Sequence, residues 1–179
     1  MYNDLERVLF TKEQITNRVK ELGKQLSIDY KDKNPLFVCI LKGSSLFFAD
    51  LVKEITVPLT FDFMSISSYG AGTVSSGEVR LIKDLDTSIE NRHVVIIEDI
   101  VDTGHTLKYL LKNLEMRKPA SIKLCTLLNK ESRREVDVKP EYVGFEVDNY
   151  FVVGYGLDYD ENYRHLPEVG VLKEEIYSK

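Results

Sequence analysis

Short apolar runs alternate along this chain with segments whose apolar positions recur at helical spacing. Ile15, Val19, Leu22 and Leu26 lie on one face of a predicted N-terminal helix, with Thr11 and Gln14 spaced as a capping box at its start. A strand is predicted over Leu36 to Leu41, a helix near Leu46 to Ile55, and strands over Leu59 to Ile66 and Val79 to Leu85. Val94 to Ile97 are four consecutive β-branched residues, the mark of a strand buried on both faces of a parallel sheet. Leu107, Leu110, Leu111 and Leu114 then return to helical spacing, a strand follows over Ile122 to Leu128, and Tyr142 to Val147 and Phe151 to Tyr155 add two short strands. Strands alternating with helices mean an α/β protein, with ligands at the carboxyl ends of the strands. No interdomain linker or repeat is visible, so residues 1–179 read as a single domain.

The chemistry concentrates where the β-branched run ends. Glu98, Asp99 and Asp102 emerge there, and Thr103, Gly104, His105 and Thr106 form the turn into the next helix. At a helix start the first N–H groups lack intrahelical acceptors and the dipole favours negative charge, so backbone amides and two threonine hydroxyls can hold a phosphate. Gly104 lets the backbone come close. An N-capping Asp would account for one acid but not for three. A phosphorylated sugar with a divalent cation accounts for all: carboxylates accept from ribose hydroxyls and ligate Mg2+, and Asp102, nearest the loop, is placed for proton transfer.

Other segments are less specific by themselves. Leu41-Lys42-Gly43-Ser44 ends a strand and opens a helix, which suits a pyrophosphate but also describes an ordinary turn with a snorkelling lysine. Lys130 follows an apolar run and reads by default as a surface lysine; Phe151 opens an apolar strand and reads as core. Ser67 to Gly77 holds three glycines and four serines in eleven residues, too little to build a core, and reads as either a hairpin tip or a functional loop. His93 and His165 have no evident partner.

With 43% hydrophobic and 30% charged residues the composition is that of an ordinary soluble domain, and a net charge of -5 argues against a nucleic-acid grip built on a broad basic surface. An acidic chain that handles polyanions needs local cations. Cys39 and Cys125 lie in apolar runs without a Cys-x-x-Cys or a metal-like His cluster, which points to buried free thiols in a reducing compartment. The first residues lack a signal peptide's basic and apolar regions and no apolar run reaches membrane-spanning length, so no membrane partner and a cytoplasmic location are expected.

Glu98-Asp99-x-x-Asp102-Thr103-Gly104-x-Thr106 resembles the 5-phosphoribosyl-1-diphosphate (PRPP) signature of the type I phosphoribosyltransferases. Leu41 to Ser44, Ser68-Tyr69, and Phe151-Val152-Val153-Gly154-Tyr155-Gly156-Leu157-Asp158-Tyr159 with Arg164 are similar to segments of the hypoxanthine-guanine branch, in the same order. The resemblance spans nearly the whole chain, and the segment around Phe151 is more specific than the PRPP signature.

That resemblance implies a parallel sheet flanked by helices, a small hood made from the N- and C-terminal segments, and a mobile lid in which Ser68 and Tyr69 reach the pyrophosphate side. It implies transfer of a 5-phosphoribosyl group from PRPP to a 6-oxopurine, giving IMP or GMP and pyrophosphate, with Mg2+ as cofactor. By residue, it implies 5-phosphate binding at Asp102 to Thr106, including His105, and ribose and metal binding at Glu98 and Asp99. Asp158 would be a further metal ligand, and Lys42, Gly43 and Arg164 would bind pyrophosphate. The purine would be held by Lys130, Phe151, Val152, Asp158, Ile100 and Leu157, with Asp102 as the catalytic acid/base. A homodimer or homotetramer and a cis peptide at Leu41-Lys42 are also implied. An orotate-type transferase is disfavoured by Lys130 and the Phe151 segment, and a PRPP-sensing transcriptional regulator by the lack of a basic patch. The chain departs from the common pattern at His105, where lysine is frequent, and at Glu131, where a second basic residue is frequent.

Overall fold

In a computed structural model, which describes residues 1–68 and 79–178, the chain forms a six-stranded sheet and a separate three-stranded sheet. The strands are β1 (Leu5–Phe10), β2 (Leu36–Leu41), β3 (Thr60–Ser68), β4 (Val79–Lys83), β5 (His93–Val101), β6 (Ser121–Asn129), β7 (Tyr142–Glu146), β8 (Val152–Val153) and β9 (Val169–Leu172). The helices are α1 (Lys12–Asp29), α2 (Ser45–Lys53), α3 (His105–Glu115) and α4 (Glu174–Tyr177). The larger sheet has the order β4-β3-β2-β5-β6-β7, parallel throughout except for the antiparallel edge β4.

Period-two alternation in β2 and β5 feeds two cores. Phe37, Cys39, Val95 and Ile97 meet Ile15, Leu22 and Leu26 of α1 and Phe47 and Leu51 of α2 on one face. Leu36, Val38, Val94 and Ile96 meet Leu107, Leu110 and Leu114 of α3 on the other. Both faces are therefore covered, which is why these strands read as continuous apolar runs. α1 begins with the expected capping box, in which the Thr11 amide donates to Gln14 Oε1 at 2.8 Å and the Gln14 amide donates to Thr11 Oγ1 at 3.3 Å. Cys39 and Cys125 are buried free thiols, and burial pushes the Cys39 thiol up to about 11.

The hydropathy pattern misassigned three pieces. Phe151 to Tyr155 does not extend the main array: only Val152 and Val153 are strand, and they pair antiparallel with β9. β1 and β9 were not predicted; they pair with each other and complete a hood, β1-β9-β8, as the family resemblance implies. Strands this short carry too few positions for a periodicity to show, and their partners lie at the opposite end of the chain. Val79 to Lys83, read as one more strand of the alternation, runs antiparallel at the edge. No helix among the described residues is long and apolar enough to cross a membrane.

Candidate active site

The carboxyl ends of β2 and β5 open into a cavity of about 260 Å³ lined by Leu41, Gly43, Glu98, Asp99, Ile100, Asp102, Thr103, Gly104, His105 and Thr106, among others. Gly43 is placed by the turn between β2 and α2. The buried Ser44 hydroxyl donates to the Ile40 carbonyl at 2.6 Å and lies 3.2 Å from Cys39 Sγ, which holds that turn closed. The Leu41-Lys42 peptide is cis. A Cβ on Gly43 would collide with Asp99 Oδ2, and one on Gly156, whose φ is +103°, would collide with the Gly43 carbonyl. Three segments remote in sequence thus meet at backbone distance.

Glu98 and Asp99 are half-buried at the end of β5, and neither forms an ion pair among the described residues. Burial pushes Asp99 up to about 6, opposed by the N–H of Ile100, which donates to Asp99 Oδ1 at 2.7 Å. Burial, then the neighbouring Asp99 charge, holds Glu98 well above the usual carboxylate range. Two oxygen donors that lack a protein cation fit a hard divalent ion. No cluster of three potential ligands exists among the described residues, and Mg2+ commonly takes one or two carboxylates and fills its shell with water and phosphate oxygens. Asp158 is less available, since its Oδ1 lies 2.9 Å from Arg164 Nη2 and its Oδ2 accepts from the Glu161 amide at 2.9 Å.

The loop after β5 turns at Gly104, which has φ +90° and caps α3; the helix starts at His105, two residues earlier than a turn over Thr103 to Thr106 implies. Thr106 therefore lies in the first helical turn. His105 Nε2 lies 2.7 Å from Glu135 Oε2, an exposed pair that sequence reading did not connect. His93, also left without a partner, has its Nδ1 2.8 Å from Ser121 Oγ across the β5–β6 pairing.

Asp102 is flanked by two cations. Arg133 Nε donates to its Oδ1 at 3.0 Å, and Lys130 Nζ stands 3.6 Å from its Oδ2, an ion pair too long for a hydrogen bond. Lys130 is not the surface lysine of the default reading: only 7% is exposed, and burial lowers its pKa while Asp102 opposes the shift. Sequence reading also missed Arg134. Its Nε donates to the Asp102 carbonyl at 2.9 Å, and its Nη2 donates to the Val101 carbonyl at 3.2 Å and to Asn129 Oδ1 at 2.6 Å. Its Nη1 donates to the Val138 carbonyl. The guanidinium fixes the backbone from which Asp102 projects. An arginine four positions past Lys130 was the signal available in the sequence.

On the opposite rim, Lys42 Nζ pairs with Glu161 Oε2 at 3.0 Å, and Arg164 Nη2 lies 3.4 Å from Glu161 Oε1. Arg164 also donates from Nη1 to the Gly156 carbonyl at 2.8 Å, while its buried Nε has no acceptor among the described residues. Val152 and Leu157 are buried in the main core, against which Ile100 packs. Phe151 is exposed at the hood's edge, outside the 260 Å³ cavity lining. Of the expected lid, Tyr69 to Gly77 lie outside the described residues, and Ser68 is placed only by its backbone pairing with Val79.

Residues 9–160 match the phosphoribosyl transferase domain family. The chain belongs to this family. Among phosphoribosyltransferases similar to it, the hypoxanthine-guanine phosphoribosyltransferase of Streptococcus thermophilus is 56% identical over 98% of both chains. That of Bacillus subtilis is 55% identical over 99% of this chain and 98% of its own. The crystal structure of a hypoxanthine phosphoribosyltransferase from Staphylococcus aureus superposes with a TM-score of 0.96 at 54% identity, covering 100% of this chain and 97% of that one. Such likeness fixes the fold as the type I phosphoribosyltransferase fold.

A carboxyl whose folded value, about 6, lies above its unfolded value of about 3.9 binds its proton more tightly when folded. Its contribution to stability is complete below pH ~4 and is lost as pH rises through ~6. Asp99→Asn should therefore be more stable than the native protein at pH 8 in EDTA, by about 1–2 kcal/mol after allowing for the carboxylate's remaining solvent contact. The advantage should shrink toward pH 4. Urea unfolding at several pH values checks this; a variant less stable at pH 8, or a pH-independent difference, contradicts it.

Proposed function

We infer that this chain performs purine salvage, transferring the 5-phosphoribosyl group of PRPP to N9 of hypoxanthine or guanine and releasing IMP or GMP and pyrophosphate. The observation that carries the reading is full-length identity of more than half to hypoxanthine-guanine phosphoribosyltransferases, combined with a cavity that unites Glu98, Asp99, Asp102 and the loop into α3. We take residues 1–179 as one phosphoribosyltransferase domain, because the hood closes by pairing β1 with β9.

In this reading the amides and hydroxyls of residues 102–106 hold the 5-phosphate, which His105 borders without acting as its cation. Glu98 and Asp99 accept from the ribose hydroxyls and hold Mg2+, with Asp158 as a further ligand on the pyrophosphate side. Held there, the ion would supply positive charge to the phosphate oxygens and the leaving group. Lys42, the Gly43 backbone and Arg164 receive pyrophosphate; the exposed Lys42 ammonium, paired among the described residues only with the exposed Glu161, supports that role. As the bond from C1 breaks, positive charge develops on the ribose ring and the adjacent carboxylates stabilise it.

Lys130 donates to the purine 6-oxygen. A donor-only ammonium penalises adenine, whose 6-amino group is itself a donor. Phe151 stacks on the base, Ile100 and Leu157 line it, and the backbone at Val152 and Asp158 reads its edge. Asp102, held by Arg133 and Arg134, takes the proton that leaves the base. Ser68 and Tyr69 belong to a lid that keeps water from the reacting sugar. A homodimer or homotetramer would cover the exposed Phe61 and Ile82, and the buried thiols suit a cytoplasmic location.

The direct test is the ultraviolet absorbance change when protein, hypoxanthine, PRPP and Mg2+ are mixed, with adenine and orotate as controls. Turnover of hypoxanthine or guanine alone is expected; turnover of orotate in preference would overturn the assignment. Asp102→Asn should retain PRPP binding and lower kcat by about a hundredfold or more, and an unchanged kcat would remove Asp102 from proton transfer. Lys130→Ala should raise the KM for hypoxanthine by roughly tenfold or more while that for PRPP moves much less. Equal rises for both substrates would place its function elsewhere.

A further inference from the structure

The hood brings the end of the chain onto Phe151. The Leu172 amide donates to the Phe151 carbonyl at 2.8 Å, fixing the end of β9 beside the start of β8. The chain then turns at Lys173, whose amide donates to the Asp4 carbonyl at 2.9 Å and whose ammonium donates to the Asn3 carbonyl at 2.6 Å. α4 follows, and its Ile176 and Tyr177 pack against the hood core of Leu5, Val153, Tyr163, Leu166 and Leu172. Tyr177 ends stacked on Phe151, with ring centroids 4.5 Å apart and planes 15° from parallel. Tyr159 meets Phe151 nearly perpendicular, at 5.6 Å and 84°.

Phe151 is 37% exposed, so little of the main core restrains its ring. Two aromatic neighbours do: one sets the plane, the other limits rotation within it. The Tyr177 hydroxyl makes no hydrogen bond among the described residues, which leaves the ring as its contribution.

We propose that Tyr177 is a positioning residue for the purine: it backs one face of Phe151, fixes the plane of that ring and leaves the opposite face to receive the base. The proposal rests on the reading of Phe151 as the stacking platform. Stacking is sensitive to the angle and offset of the rings, and a platform free to rock must be ordered by the base itself, at the expense of affinity. A ring already stacked on Tyr177 has lost that freedom before the base arrives. The short α4 would thus be part of the base pocket, though it lies at the far end of the sequence from the PRPP loop.

The test measures KM for hypoxanthine and for PRPP in Tyr177→Ala, Tyr177→Phe and Phe151→Leu. Tyr177→Ala should raise the KM for hypoxanthine about three- to tenfold, leave that for PRPP within about twofold, and be restored by Tyr177→Phe, which keeps the ring. A Tyr177→Ala KM for hypoxanthine that stays level or falls, while Phe151→Leu raises it, overturns the proposal and leaves the Phe151 reading intact; a fall would mean that Tyr177 competes with the base for the ring. Joint rises of both KM values in Tyr177→Ala report general loosening of the hood and also overturn it. If Phe151→Leu leaves the hypoxanthine KM unchanged, the stacking role of Phe151 fails, and the role of Tyr177 fails with it.

Discussion

Gly43 and Asp99 share a space that could not hold a side chain from each. Because a Cβ on Gly43 would collide with the Asp99 carboxylate, and one on Gly156 with the Gly43 carbonyl, the ends of β2 and β5 and the loop after β8 interlock through two glycines. This contact ties the hood to the sheet and sets where the carboxylates of β5 point. The register of the parallel core, with Leu36 opposite Val94 and Cys39 opposite Ile97, places Gly43 and Asp99 past the last pairs of that ladder. The site is thus a consequence of two buried strands ending together, with their exits held close by residues that lack side chains.

Around that junction the charges are arranged unequally. Lys130 and Arg133 face Asp102, Lys42 faces Glu161, and Arg164 faces Asp158 and Glu161. Glu98 and Asp99 have no such partner among the described residues, and burial raises both their pKa values. Ionising them costs more than ionising a solvated carboxylate, so a cation bound there would offset a cost already built into the fold. Other carboxylates near the cavity meet their cations within the chain itself. This asymmetry sets Glu98 and Asp99 apart from a ring of surface salt bridges and is what supports the proposal that they hold a metal ion.

The strands and helices of the main sheet were legible because each is long enough to show its own period. Val94 to Ile97 announced a strand covered on both faces, and Thr11 with Gln14 announced the start of α1. The acidic and hydroxyl run from Glu98 to Thr106 was legible for a related reason, since its residues are neighbours in sequence and a helix start follows directly. What could not be read was every partner fixed by topology alone. β1 and β9 depend on pairing across some 160 residues; Lys42 finds Glu161, and Asp102 finds Arg133 and Arg134, only after the elements have packed. The exposed Phe151 illustrates the limit: its apolar flanks suggested core, whereas the hood turns it outward onto Tyr177.

The two rims differ in how readily their pairs can exchange. Lys42 and Glu161 are mostly exposed, at 68% and 65% of their side chains, and such a pair is worth about 0–1 kcal/mol. In the reading proposed above, a pyrophosphate can displace Glu161 from Lys42 at little expense, and the lysine changes one anionic partner for another. Lys130 is different. Its side chain is 8% exposed, against 39% for Asp102, so separating them would strand a buried charge. That pair suits a part of the site that must keep its geometry while the base binds. A purine oxygen can accept from the ammonium alongside Asp102 without replacing it, because an ammonium has three N–H donors. On the proposed function, exposure thus separates a rim suited to exchange of charged groups, at Lys42 and Glu161, from one suited to holding a fixed acid/base beside a neutral ring, at Lys130 and Asp102.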